Sequence, residues 1–160
     1  MKLNPIILAA ALVLSALTAQ SPAAEPETVW LSSLDLSPIV QGWGQPQADK
    51  AVTGKPLSIG GKQFERGLGT HTDLVVRLQL KGGSEKFSAF VGVDDAATSD
   101  QATISFRVIG DGKTLWSVRG MKRGQPARKV EVDVKGIKSL LLIADSRGDI
   151  SYGHADWADA

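Results

Sequence analysis

Short stretches in which apolar and polar residues alternate with a period of two run through most of this chain. Residues 74–80, 87–93, 104–108 and 130–134 each place an apolar side chain at every second position. Because successive side chains of an extended strand point to opposite faces, each stretch predicts a strand with one face in a core. Residues 140–144 are apolar throughout and predict a strand that is buried on both faces.

Glycine-rich turns separate these stretches. Asp111-Gly112 stands between two of them, and a two-residue Asp-Gly connection is a strong signal for a β-hairpin. No apolar pattern at helical spacing is sustained anywhere after residue 28. Many short strands with turns roughly every 8–15 residues predict an all-β fold, a β-sandwich of the jelly-roll type. An immunoglobulin-like sandwich is the alternative, but this chain has no cysteine and so lacks the usual cysteine pair.

The N-terminus has the composition of a secretory leader. Lys2 precedes an apolar run at residues 6–17, and small residues follow. The run is shorter than the roughly 20 apolar residues that span a bilayer. We therefore predict a signal peptide at residues 1–24, a flexible lead-in at 25–28 and one domain at 29–160. The mature protein is then secreted, or located in the periplasm or cell envelope, without a membrane span; an uncleaved N-terminal anchor is the alternative.

The charge balance argues against nucleic acid as a partner. The chain has 18 basic and 17 acidic residues, and loss of the leader removes Lys2 alone, which leaves 17 of each. Binding to nucleic acid needs a positive field, and no dense basic run supplies one. A domain of about 130 residues buries enough apolar surface to fold without disulfides. The composition does not exclude a structural metal ion in this domain.

Four clusters of glycine with polar or aromatic residues stand out at the ends of predicted strands or in loops, where functional residues concentrate. They are residues 42–44 (GWG), 67–71 (GLGTH), 92–95 (GVDD) and 154–159 (HADWAD). A sugar site needs planar aromatic surface and a few converging hydrogen-bonding groups. The residues that could supply them are Trp43, His71, Asp94, Asp95, Arg147, Tyr152, His154 and Trp157. Core packing is the competing explanation for each tryptophan, and turn formation for His71 and the two aspartates.

Catalytic patterns are weaker. A glycosidase needs two carboxyl groups about 5–10 Å apart, whereas the neighbours Asp94 and Asp95 point to opposite faces of an extended strand. No G-x-S-x-G motif is present, and the two histidines are far apart in sequence. We therefore predict that the chain is not an enzyme. A small glycoside hydrolase that pairs Asp94 or Asp95 with Asp156 is an alternative.

In series, the clusters resemble the NPCBM domain family, which is found beside catalytic domains, as in glycoside hydrolase family 98 proteins. The family is also classed as carbohydrate-binding module family 51. The matching stretches are residues 29–34, 42–44, 67–71, 92–95, 110–113 and 154–160. The resemblance implies a galactose-binding-domain-like jelly roll, recognition of galactose-containing glycans without catalysis, and a structural calcium ion.

The resemblance also implies roles for single residues. It places Trp43, His71 and His154 at or beside the sugar-binding end. The candidates for calcium ligands are Asp49, Asp156 and Asp159. One departure is Gly153, because the family usually has an acidic residue just before His-Ala-Asp-Trp; its loss removes a possible sugar or metal contact.

The predicted function is therefore that of an exported, non-catalytic, lectin-like module that binds a galactose-containing glycan. A separate glycoside hydrolase is a possible partner. The alternative from a different class is a protein-interaction or envelope scaffold that kept the fold without the sugar site.

Overall fold

The computed structural model describes residues 27–146 and 150–160, so the predicted signal peptide at 1–24 lies outside the described residues. A single 3-10 turn at Leu31–Ser33 precedes the strands. The strands are β1 Gln47–Ala48, β2 Leu57–Ile59, β3 Lys62–Phe64, β4 Gly67–His71, β5 Leu74–Gln79, β6 Lys86–Val93, β7 Ile104–Gly110, β8 Lys113–Met121, β9 Arg128–Asp133, β10 Ser139–Asp145 and β11 His154–Ala158. Within the two described ranges, no helix is long and apolar enough to cross a membrane.

The strands form two main sheets and one hairpin. The five-stranded sheet has the order β1-β4-β11-β6-β9, and the four-stranded sheet has the order β5-β10-β7-β8. β2 and β3 form a separate two-stranded hairpin. Neighbouring strands are antiparallel throughout. The predicted all-β sandwich is confirmed.

The alternating stretches supply the core between the two main sheets. Apolar side chains of β6 and β7 are buried at every second position, as their pattern predicts. In β10, Leu140, Leu142 and Ala144 are fully buried, whereas Leu141 and Ile143 are only half-buried. The strand at residues 140–144 is thus confirmed, but its predicted burial on both faces is wrong, because only one face of β10 points into the sandwich.

The hairpin predicted at Asp111-Gly112 is present between β7 and β8. Gly110 pairs with Lys113, and the two turn residues have φ angles of 44° and 82°, which are the positive values that a type I′ turn requires. The Asp111 carboxylate also accepts the backbone N–H groups of Lys138 and Ser139. These bonds lower the pKa of Asp111, with the bond from Ser139 as the larger cause. Asp111 therefore ties the hairpin to the start of β10.

The β2–β3 hairpin covers part of the outer face of the five-stranded sheet. On β11, Trp157 points into the sandwich, whereas Ala158 packs outward against Leu57, Ile59 and Phe64 of the hairpin. β11 is therefore buried on both faces. This second, smaller core extends from Ala158 to Ile59, and Ile59 forms a β-bridge with Asp94 near the end of the sheet where β4 ends and β11 begins.

Candidate functional site

Three aromatic rings from separate segments meet at this end of the five-stranded sheet. His71 ends β4, His154 begins β11, and the two are paired across the antiparallel ladder. Their ring centroids are 5.5 Å apart. The Trp43 ring lies 5.6 Å from that of His71 and 6.2 Å from that of His154, nearly parallel to the latter at 8°. Because Trp43 is 55% exposed, the cluster presents an open aromatic surface.

A single glutamine connects the tryptophan loop to β4. The Oε1 atom of Gln41 accepts the backbone N–H of His71 at 3.1 Å, and its Nε2 atom donates to the carbonyl oxygen of Trp43 at 2.8 Å. A Cβ atom at Gly42 would overlap the carbonyl oxygen of Thr72. The glycine therefore lets the loop approach β4 closely enough for the Gln41 bridge to form.

The two imidazoles have different surroundings. His71 is 4% exposed, and its Nδ1 atom lies 2.6 Å from the carbonyl oxygen of Thr72. The pKa of His154 is lowered, first by burial and then by the neighbouring His71, while Asp94 acts in the opposite direction. His154 is therefore neutral at neutral pH. Its Nδ1 atom is buried and has no hydrogen-bond partner among the described residues.

These rings line a surface depression of about 350 Å³. Its lining residues are Trp43, His71, Ile150, Ser151, Tyr152 and His154. Four of the eight predicted sugar-binding residues thus lie together, although a sugar contact by any of them stays a prediction. Sequence reasoning missed Ile150, Ser151 and the supporting Gln41. Arg147 lies outside the described residues.

The predicted sugar contacts Asp94 and Asp95 lie beneath the hairpin instead of in the depression. Asp94 accepts the backbone N–H groups of Ser58 and Ala96. Asp95 accepts the Ser58 hydroxyl at 2.6 Å and the backbone N–H groups of the β2–β3 turn at residues 60–61. Both carboxyl groups therefore fasten the hairpin to the end of β6. Their predicted role in sugar binding has no support in this geometry.

The prediction that Trp157 contacts a sugar is wrong. Trp157 is 0% exposed, and its ring packs in the sandwich core against Phe87 and Phe106, with centroids at 6.4 and 5.5 Å. The period-two alternation of β11 explains the outcome. Since Trp157 and His154 are an odd number of residues apart, their side chains leave opposite faces of the strand.

Asp156 forms a buried carboxyl pair with Asp94. Both residues are 0% exposed. Burial, followed by the neighbouring carboxyl group of Asp94, raises the pKa of Asp156 well above its usual range. Both carboxyl oxygens of Asp156 are buried and make no hydrogen bond to the described residues, so nothing offsets the cost of ionising the group there. Neither carboxyl group reaches solvent, so the alternative of a hydrolase that uses this pair finds no support.

The predicted calcium ligands are divided between different roles. Asp49 is exposed, has a φ of 57°, and accepts the N–H of Gly67 at 3.0 Å. Asp159 has a φ of 46° and donates its own N–H to the carbonyl of Arg66. Asp156 is the member of the buried pair whose pKa is raised. Among residues 27–146 and 150–160, no three His, Cys, Asp or Glu side chains are grouped so as to hold an ion. Calcium binding stays a prediction from the family resemblance.

The close approach of Thr72 explains why a glycine stands at position 153. A Cβ atom at this position would overlap the Oγ1 atom of Thr72. The carbonyl of Gly153 also accepts the backbone N–H of Thr72 at 2.8 Å. The absence of a side chain therefore lets the segment before β11 pack against the residue that follows β4.

A larger depression of about 550 Å³ lies between residues 31–40 and β5. Aliphatic side chains dominate its lining, including Leu34, Val40 and Val75. A sugar needs several hydrogen-bonding groups around it. The smaller depression with its tryptophan and two imidazoles therefore suits a sugar better.

Comparison with known proteins identifies relatives of this chain. Residues 27–160 match the NPCBM/NEW2 domain. The chain is 36% identical over 123 residues to alpha-1,3-galactosidase B of Akkermansia muciniphila. The matched region covers 74% of this chain and 15% of the galactosidase.

Two solved structures from Clostridium perfringens share the fold, each with a TM-score of 0.75, 28% identity and coverage of 82% of this chain. One is the family 51 carbohydrate-binding module of a glycoside hydrolase family 95 protein in complex with methyl-galactose, of which 97% is covered. The other contains the second family 51 module and the INT domains of ZmpB in complex with GlcNAc, of which 30% is covered.

Proposed function

Because the chain belongs to the NPCBM/NEW2 domain family, we propose that it is an exported, non-catalytic module that binds galactose-containing glycans in the depression at Trp43. The observation that carries this proposal is the open face of Trp43 beside two imidazoles. A sugar ring has one apolar face, which packs on an aromatic ring, and hydroxyl groups that hydrogen-bond to nitrogen.

The chemistry of the lining supports a neutral sugar. The six lining residues that the structure describes include no Lys, Arg, Asp or Glu. Because its pKa is lowered, the His154 side chain adds no positive charge to the depression at neutral pH. The structural relative with methyl-galactose bound supports galactose as the first ligand to test.

Two observations support a binding role without catalysis. The chain spans only 15% of the length of alpha-1,3-galactosidase B, so the activity of that protein need not reside in the shared part. The carboxyl pair of Asp94 and Asp156 is also buried away from any substrate. A separate glycoside hydrolase is accordingly a proposed partner, and the predicted leader at residues 1–24 supports export.

Replacement of Trp43 by alanine tests the site. We expect Trp43→Ala to weaken the binding of methyl galactoside at least about tenfold, because the sugar loses its apolar platform. The melting temperature should change little, since the side chain is more than half exposed. Isothermal titration calorimetry on residues 25–160 measures the affinity. Val75→Ala is the control, because Val75 is 51% exposed and lies outside the depression.

Two outcomes would redirect the proposal. A glycan array is screened with and without a calcium chelator. If the well-folded wild type binds no glycan, the result favours the alternative of a protein-interaction scaffold, and pull-down experiments would then test for a protein partner. If Trp43→Ala binds as well as the wild type, the sugar site lies elsewhere on the sandwich.

Gln41 offers a test of how the platform is positioned. We expect Gln41→Ala to weaken sugar binding about three- to tenfold, because it removes both hydrogen bonds that join Trp43 to β4. The measurement is again a titration with methyl galactoside. Gln47→Ala is the matched control, because Gln47 bonds the carbonyl of Gln45 in a similar way but does not line the depression. Equal affinities for the two variants would contradict this positioning role.

A further inference from the structure

We propose that His71 is a fixed hydrogen-bond acceptor in the depression, so that the bound sugar must present a neutral hydroxyl group to it. This inference rests on the proposed function and names the chemical group that the site selects. It follows from how the backbone fixes the tautomer of His71 and from what His154 presents beside it.

The backbone decides which nitrogen of His71 carries the proton. The Nδ1 atom lies 2.6 Å from the carbonyl oxygen of Thr72, and a carbonyl oxygen can only accept. Nδ1 must therefore be the donor. A neutral imidazole has one N–H, so Nε2 keeps its lone pair. Because Nδ1 is engaged with the backbone, Nε2 is the atom that His71 can offer to a ligand in the depression that it lines.

The neighbouring His154 has the opposite arrangement. Its Nδ1 atom is buried without a hydrogen-bond partner in the described part of the chain. An N–H group left without an acceptor in such a place is rarer than an acceptor left without a donor. The proton of the neutral ring therefore belongs on Nε2. His154 then presents a donor, its Nε2–H group, beside the Nε2 acceptor of His71, because the centroids of the two rings are only 5.5 Å apart.

An acceptor beside a donor suits a hydroxyl group, because a hydroxyl group can both donate and accept a hydrogen bond. One hydroxyl can donate to His71 and accept from His154, and two adjacent hydroxyls can divide these bonds between them. A carboxylate or sulfate ester can only accept, so its oxygens would face the lone pair of His71. The site therefore selects neutral hydroxyl groups at this position and disfavours acidic sugars that place their anionic group there.

The tautomer can be measured without any ligand. Long-range ¹H–¹⁵N correlation spectra of the imidazole rings distinguish a proton on Nδ1 from one on Nε2. We expect His71 in the Nδ1–H form in the free wild-type protein at neutral pH. A spectrum that shows His71 in the Nε2–H form would overturn the inference, whatever the protein binds.

The donor requirement can be measured with modified sugars. Methyl galactoside is compared with its monodeoxy and monodeoxy-fluoro derivatives, one ring position at a time. Fluorine resembles a hydroxyl in size and accepts weakly, but it cannot donate. At one position at least, we expect the fluoro and the deoxy derivatives to lose affinity alike, by about tenfold or more. Fluoro derivatives that bind as well as the parent sugar at every position would overturn the inference.

The two experiments separate this inference from the proposed function. If methyl galactoside itself does not bind, the proposed function fails for this sugar, and the imidazole spectra still decide whether His71 is an acceptor. If the sugar binds and Trp43→Ala abolishes binding, but the fluoro derivatives bind fully, the proposed site stands and the acceptor role of His71 is refuted.

Discussion

Replacement of Gly69 by alanine is expected to destabilise the domain by about 3 kcal/mol or more, which corresponds to a fall in melting temperature of about 10 °C. Gly69 lies in the middle of β4, opposite Asp156, and a Cβ atom there would overlap the carbonyl oxygen of Lys50 and the backbone of Ala51. Backbone atoms cannot rotate away as side chains do. The segment at residues 50–51 would therefore have to leave the sheet face. Urea unfolding followed by tryptophan fluorescence measures the loss.

Gly83→Ala is the matched control for this effect. Gly83 is exposed, its φ is not in the left-handed region, and the nearest atom to an added Cβ is the carbonyl oxygen of Leu80 at 3.8 Å. We expect this change to leave stability unaltered or to raise it slightly, because alanine narrows the unfolded ensemble. If Gly69→Ala unfolds at the same urea concentration as Gly83→Ala, the close approach of residues 50–51 to β4 is not a constraint on the fold.

The alternating pattern predicted the main sandwich well because that pattern is a local property. Strands β5, β6, β7, β9 and β10 bury one face, and the pattern requires only that each strand has one apolar side. The Asp111-Gly112 turn was predictable for the same reason, since its φ angles depend on two adjacent residues. The bonds from Asp111 to the start of β10 join residues 27 and 28 positions apart, which no local pattern reveals.

The candidate site was predicted less completely because the β2–β3 hairpin decides which of the motif residues are covered and which stay accessible. Alternation correctly puts Asp156 and Trp157 of β11 on opposite faces, but it cannot show that the hairpin covers the outer face. Both residues are therefore buried, and neither can meet a sugar. Trp43, His71 and His154 were identified by type and motif alone. Gln41 carried no such signal, because its role lies in a bridge between a loop and a distant strand.

The buried carboxyl pair leads to the second large effect. We expect Asp94→Ala to destabilise the domain by about 3 kcal/mol, because the partly buried backbone N–H groups of Ser58 and Ala96 lose their acceptor. Urea unfolding measures the change. Asp100→Ala is the control, since Asp100 is exposed. A variant Asp94→Ala as stable as Asp100→Ala would show that Asp94 does not hold the hairpin.

Asp156→Asn tests whether the pKa of the buried Asp156 carboxyl group is raised in the folded protein. Because the pKa of Asp156 is raised in the folded state, its stabilising contribution is complete below the unfolded value, near 3.9, and is lost as the pH rises through the folded pKa. Asparagine has nearly the same size as aspartate and cannot titrate. As the pH is raised from about 5 to about 8, the free energy of unfolding of the wild type should therefore fall relative to that of Asp156→Asn. A constant difference across this range would mean that the pKa of Asp156 is not raised in the folded state, and that packing alone keeps β11 beneath the hairpin.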